Sequence, residues 1–461
     1  MTPEALDSLD KDGLKALVLA LLEQNRALDE RAAELTARVA ELEARLAQPP
    51  KTPTNSSVPP SSGHKPNRPD PASKKKGRKG RPGTARALCP DPDQTCEIYA
   101  ETCPGCGATL DPADQPHAHA YDHTDLPVIK PVTTRIHLHK GNCPRCRRRV
   151  AARPPAGMMP GSPFGPNIVS AVTYLHTRHM VSYVRLVEAM QDLCGLTISE
   201  GAIANMLARS AKPFRAEAAV IAETVRTSAV IASDETSARV RGKTHWQWVF
   251  GSATAVYHTI APTRGRIVPV EFLGDARPKV WISDRLAAQG RHAAAHQVCL
   301  AHLIRDAQYA IDAGDTVFAP PFKRFLQRAC AIGRRRPGLA DATIKAYERE
   351  LRRELDRLLA LRPKQIDGSN LKASIAVTAR TKLLVFMTRR DVEPTNNVSE
   401  QALRMSVIFR KVTNCFRSDW GAEVYADICS IVATGRLHGR SPLSSIRAAL
   451  AAPAAPEAAP A

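Results

Sequence analysis

No run of about 18 apolar residues occurs in the 461-residue chain, which leaves nothing to form a membrane-spanning helix. The opening segment MTPEALDSLD is acidic and lacks the positive start and apolar stretch of a secretory signal. Negative charge is scarce as well: 45 Asp and Glu face 65 Lys and Arg, giving a formal charge of +20. That deficit implies a polyanionic partner, nucleic acid or an acidic membrane surface, and without a spanning helix nucleic acid is favoured. The expected location is the cytoplasm. In that reducing compartment the 11 cysteines are candidate metal ligands before they are candidate disulfides.

Leu14, Leu21, Leu28, Leu35 and Leu42 recur every seven residues, with Val18, Asn25, Ala32, Val39 and Leu46 at the matching a positions. This seam predicts a coiled coil over residues 4–47 that joins copies of the chain. Asn25 at an a position favours an in-register parallel pair. Residues 48–88 are rich in Pro, Ser, Gly and Lys and read as a disordered basic linker. Its Lys74, Lys75, Lys76, Arg78, Lys79 and Arg81 are suited to phosphate contacts.

Residues 89–160 carry Cys103-Pro-Gly-Cys106 and Cys143-Pro-Arg-Cys146. Each pair can aim two thiolates at one ion, so four predict a closed, structural Zn²⁺ ribbon with a strand such as Thr133–His139 between the knuckles. Arg145, Arg147, Arg148 and Arg149 crowd the second knuckle and are expected to face DNA. Residues 161–226 read as helices, with a Gly-containing turn at Cys194–Thr197 and Ser199 as a cap, which resembles a helix-turn-helix.

From Ser228 the pattern changes to strands. Ala229–Ala232 runs into Ser233-Asp234-Glu235-Thr236; Thr244–Phe250 and Ala255–Ile260 follow; a helix near Arg266–Leu273 leads to Lys279–Ser283 and Asp284. Three meandering strands, a helix and a strand parallel to the first describe a ribonuclease-H-like mixed sheet, in which strands one and four are neighbours. Their ends would bring Asp234 and Asp284 together. Close carboxylates need a cation, and oxygen ligands favour Mg²⁺ or Mn²⁺, two of which would suit phosphoryl transfer. Glu400 is the expected third ligand, ahead of Asp306 and Glu393, on a helix that also carries Arg404, Arg410 and Lys411 toward DNA. The expected fold is thus multidomain α+β. It comprises the coiled coil, the ribbon, the helical segment and a core over 227–305 and 393–450 split by an α-helical insertion at 306–392. A disordered tail spans 451–461.

With these motifs in this order, the chain resembles insertion-sequence transposases of the IS sixty-six family, in the DDE group. The likeness includes Asn55-Ser-Ser, both CPxC knuckles, Ser233-Asp234-Glu235-Thr236, Ser283-Asp284, Cys299-Leu-Ala-His302, and Asn396-Asn-Val-Ser-Glu400 with Arg404 and Phe409-Arg410-Lys411. Arg285-Leu286 stands where Gly-Tyr is expected, and Val398-Ser399 where Arg-Ala is common.

The resemblance implies metal-dependent cleavage at transposon ends and transfer of the 3′-hydroxyl into target DNA. Asp234, Asp284 and Glu400 would be the triad, with Cys299 and His302 in a structural or DNA-positioning role. The implied partners are terminal inverted repeats, target DNA, further copies of the chain and accessory proteins of the element, in a bacterial nucleoid. The alternatives are a DNA-binding regulator with an inactive core and a nuclease without strand transfer.

Overall fold

Chain order and local capping explain most of the architecture of the computed structural model, which describes residues 10–46, 48–56, 86–155, 157–158 and 161–451. The basic arm from Lys74 to Arg81 lies outside these residues, as does the tail beyond Ala451. By contact density the chain divides into a larger unit, Met1–His64 with Leu138–Leu186 and Ser199–Ala461, and a smaller one, Lys65–His137 with Val187–Ile198. Among the described residues no helix is long and apolar enough to cross a membrane.

In the larger unit the leucine heptads form one helix, α1 (Lys11–Leu46). Asp10 starts it, accepting from the Gly13 amide at 2.8 Å and so satisfying one of the unpaired donors of the first turn. Leu14, Val18, Leu21, Leu28, Leu35 and Val39 are exposed along it. Residues 51–56, expected to be disordered with the linker, are ordered instead. Asn55 is buried, donates to Pro50 O at 3.1 Å and Asp312 Oδ2 at 2.9 Å, and accepts from the Thr52 amide. Side-chain hydrogen bonding supplies there what the absent apolar residues do not.

The two cysteine turns have the same local form. Around the first, in the smaller unit, Cys103 N donates to Ala108 O and Gly107 N to Cys103 O, both at 2.9 Å, with Gly107 at φ +75°. Around the second, in the larger unit, Cys143 N donates to Arg148 O at 2.9 Å and Arg147 N to Cys143 O at 2.8 Å, with Arg147 at φ +56°. Only short strands accompany the second turn: β1 (Lys140–Asn142) pairs antiparallel with β2 (Arg149–Ala151). The strand expected at Thr133–His139 is absent, because the ladder forms only where the turn folds the chain back on itself. No residue described between 86 and 155 is buried.

Four helices follow: α2 (Pro166–His179), α3 (Tyr183–Cys194), α4 (Glu200–Arg209) and α5 (Ala211–Arg226). Gly195, at φ +63°, ends α3 with its amide on Gln191 O, the left-handed αL cap, while Leu196 N reaches Met190 O. Ser199 caps α4 by accepting from Ala202 N at 3.1 Å, as its sequence position predicts.

The core sheet has the order β5-β4-β3-β6-β7, from β3 (Val230–Val240), β4 (Lys243–Gly251), β5 (Val256–Ala261), β6 (Val280–Ser283) and β7 (Ala295–Val298). The first three are antiparallel; β6 and β7 run parallel to β3, with α6 (Ile267–Leu273) between β5 and β6. This mixed α+β arrangement is compatible with a ribonuclease-H-like core. β3 does not stop near Asp234 as expected. It continues into a hairpin with β4 through Arg241-Gly242, both at positive φ, which matches the strand twist.

Each face of the sheet is covered. On one, Ile231, Trp248, Phe250 and Trp281 pack with Phe214, Val225 and Phe272 and with Ile428 and Ile431 of a late helix, α13 below. On the other, Val280, Ile282 and Val298 pack with the helices inserted after β7: α7 (Leu300–Asp312), α8 (Ala319–Arg335), α9 (Asp341–Ala360), α10 (Ile366–Ser374) and α11 (Val385–Thr388). Leu300 opens α7 directly after the turn at Cys299. At the end of α8, Arg336 is buried and donates to the carbonyls of Phe386, Arg389, Arg390 and Val392, fixing the loop that returns to the sheet. The chain then closes with α12 (Asn397–Thr413), α13 (Asp419–Leu437) and α14 (Pro442–Ala451), so Ala451 ends a helix rather than beginning the tail.

Candidate active site

Strand register brings the first two acids together. β3 and β6 pair in parallel as Val230↔Val280, Ile231↔Trp281 and Ala232↔Ile282. Two residues on from that last pair stand Asp234, within β3, and Asp284, just past β6, so one register sets both at the carboxyl end of β6. Alternation puts them on the face of Ala232 and Ile282, toward α7, and both are half-buried.

The third acid reaches this end from the chain's far side through three contacts. Asn396 Nδ2 donates to Ser233 O at 2.8 Å, and its backbone N donates to Cys299 Sγ at 3.2 Å. Leu300 N donates to Pro394 O at 3.0 Å. One turn into α12, Leu403 packs on Val249, the cross-strand partner of Asp234. Glu400, in the first turn, is thereby held beside Asp234.

Burial raises the Asp234 carboxyl well above the usual range, and the negative charges of Glu235, Asp284 and Glu400 push in the same direction. Asp284 Oδ1 accepts from the Leu286 amide at 2.9 Å. Glu400 Oε1 lies 3.5 Å from both His302 Nδ1 and Arg305 Nη2, too far for hydrogen bonds, and is buried without a hydrogen-bond partner. Asp284 and Glu400 lie near enough for their charges to act on Asp234, but among the described residues the ligand atoms within 4.8 Å of one another are those of Cys299, His302 and Glu400.

Neighbouring acids are engaged elsewhere. Glu235 points to the opposite face, its side chain 1% exposed. Arg264 donates to Oε1 through Nε at 2.9 Å and Nη2 at 2.7 Å, and Gln289 to Oε2 at 2.7 Å. Asp306 binds Arg285 at 2.5 Å, and Glu393 is exposed 3.7 Å from Arg336. Arg264 also sits 4.7 Å above the Trp246 ring.

Cys299 caps the start of α7 just past β7 and His302 lies one helical turn on, so both face Glu400. Burial lowers the His302 pKa first, and the Arg305 charge adds to this, so the imidazole is held neutral. Asn396 belongs to the motif quoted before Glu400, whereas Arg305 is a neighbour of the site that the motifs do not include. The signal for Arg305 was its i+3 spacing from His302 on α7. Among the expected DNA contacts, Arg147, Arg148, Arg404 and Lys411 are exposed. Arg410 is half-buried, its Nη1 on Ser237 O and Oγ and 3.4 Å from Thr236 Oγ1, where it holds β3. The knuckle amides of Gly105 and Cys106 lower the Cys103 thiol and those of Cys146 and Arg145 lower Cys143, with burial opposing both.

A family model described as Transposase IS66 family matches residues 161–424, a span that includes β3, β6, α7 and the Glu400 turn of α12. No curated protein matches the chain.

Proposed function

We propose, for a chain that belongs to the IS66 family of transposases, that Asp234, Asp284 and Glu400 hold two Mg²⁺ or Mn²⁺ ions to cleave transposon ends and join the freed 3′-hydroxyl to target DNA. Family membership implies that the protein binds and processes DNA; the cleavage chemistry is our reading. What supports it is the placing of half-buried Asp284 and Glu400 near Asp234, a carboxyl that burial first, and then the charges of Glu235, Asp284 and Glu400, hold well above its usual range. Bound divalent cations would supply activation of the attacking oxygen and neutralisation of the leaving one. The chain's own part is positioning. Asn396 and Cys299 hold the Glu400 turn against β3, Arg410 fixes β3 at Ser237 from further along the same helix, and the exposed Arg404 and Lys411 lie on that helix for backbone phosphates.

Around this core, α1 would join copies through its exposed heptad seam, and the basic arm at Lys74–Arg81 would add non-specific DNA affinity. The shared form of the two cysteine turns supports reading each as a zinc knuckle that aims two thiolates at an ion. A segment that buries no residue between 86 and 155 needs such a staple to hold its fold. Arg147 and Arg148 would then face DNA, and the helices from Pro166 to Arg209 would serve as the helix-turn-helix element.

The test uses DNA carrying the element's terminal repeats with Mg²⁺ or Mn²⁺. Wild type should nick and join; Asp234→Ala should bind the same DNA and do neither. Equal products from both proteins refute the mechanism. Binding without chemistry in both points to the regulator, and nicking without joining to the nuclease.

A further inference from the structure

The side chains beside the triad support a second metal chemistry. Ligand atoms of Cys299, His302 and Glu400 lie within 4.8 Å of one another, the one such group of three among the described residues. His302 Nδ1 and Glu400 Oε1 are both buried without hydrogen bonds, and face each other at 3.5 Å. A set of sulfur, nitrogen and oxygen suits a borderline-soft ion such as Zn²⁺, whereas the triad offers oxygen alone. Glu400 belongs to both sets.

We propose that Cys299, His302 and Glu400 form a Zn²⁺ site that withdraws Glu400 from the triad, so that zinc inhibits the protein reversibly. The inhibitory part rests on the triad reading above. The ligands are already held in place. Cys299 N donates to Ser283 O at 2.8 Å, which fixes its backbone to the end of β6. Cys-x-x-His spacing at the start of α7 puts His302 on the same side, and the Asn396 amide donating to Sγ stays favourable for a metal-bound thiolate. The thiol proton leaves to solvent on binding. Two features keep the site weaker than a closed four-thiolate one. It offers three protein ligands, and the Arg305 charge, 3.5 Å from Glu400 Oε1, competes for the same oxygen. A site of that strength fills and empties as zinc varies.

The experiment uses the full chain with Mn²⁺ as the probe of the triad. Zinc bound per chain is measured by native mass spectrometry, and bound Mn²⁺ by electron paramagnetic resonance, for wild type, Cys299→Ser and His302→Gln. Thermal melts confirm that each variant is folded. Wild type should bind one more zinc per chain than either variant, the knuckle cysteines being common to all three. Filling that site should release Mn²⁺, and the zinc needed for half-release should rise about tenfold or more in Cys299→Ser. Equal zinc stoichiometry in the three proteins overturns the proposal, as does extra zinc that leaves Mn²⁺ bound. Neither readout requires catalysis. A protein that shows the competition yet never cuts terminal-repeat DNA therefore supports the site while refuting the transposition mechanism.

Discussion

Replacing Asn396 by Ala tests the joint on which the placement of Glu400 depends. The Asn396 side chain is buried, its Nδ2 donates to Ser233 O at 2.8 Å, and its own carbonyl accepts from Glu400 N at 3.1 Å. Truncation deletes the bond to the residue before Asp234, and a lost buried hydrogen bond costs about 1–3 kcal/mol. For a unit this large that is a fall in melting temperature of a few degrees, with the fold retained. The catalytic cost is greater, because displacing a catalytic group by about 1 Å lowers rates roughly 100-fold. Single-turnover cleavage of end-labelled terminal-repeat DNA should therefore slow about 100-fold in Asn396→Ala, with DNA affinity unchanged and partial recovery at high Mn²⁺. Asn396→Asp keeps the size, cannot donate to Ser233 O, and adds a negative charge beside the triad, so it should be at least as slow. Cleavage within about twofold of wild type in a destabilised Asn396→Ala protein would refute the reasoning, since the joint would then serve stability alone.

Burial pushes the Asp427 carboxyl up to about 6, with Arg215 at 3.8 Å opposing and Glu423 adding to the rise. An acid with a raised folded pKa binds its proton more tightly when folded, so its stability contribution is full below about pH 4 and lost as pH climbs to about 6. Asp427→Asn should match wild type near pH 4 and exceed it above pH 6 by up to about 3 kcal/mol in urea unfolding; equal stability at pH 7 counts against the assignment. In α1, replacing Leu21 and Leu28 together by Asp should turn the oligomer into monomers by light scattering while core melting stays unchanged. A retained oligomer would place the interface elsewhere.

What was legible in the sequence follows the range of the interactions involved. The heptads of α1, the Ser199 cap, the meander β3–β5 and the pairing of β6 beside β3 come from short-range pattern and chain order, and the structure has them. β3 was read too short because the polar run Asp234–Arg239 looks like a loop, although Arg241-Gly242 closes a hairpin that extends it. The order of residues 51–56 was missed because it depends on Asn55 meeting Asp312, 257 residues away. The same limit applied to Glu400. Its sequence neighbours gave a helix and a charge, while its position comes from Ser233, Cys299 and Val249, none of them near it in the chain.

The charges around the sheet end can be sorted by which acids the protein itself already balances. Glu235 has Arg264 and Gln289, Asp306 has Arg285, and Glu393 lies exposed toward Arg336. Asp234 and Asp284 each accept one backbone amide, and Glu400 has only Arg305 and a neutral His302 at 3.5 Å. Pairing Glu235 on the far face matters most, because an adjacent carboxylate free to turn would compete with Asp234 for any cation. Breaking that pair should therefore act on the triad without touching it. In Arg264→Gln, Glu235 would carry an uncompensated charge next to Asp234, and the pressure on Asp234 to stay protonated would grow. The arrangement leaves three acids without a full partner, gathered where β6 ends beside β3. A protein holding a sheet together has no use for that concentration of unbalanced charge, whereas one that binds cations there does.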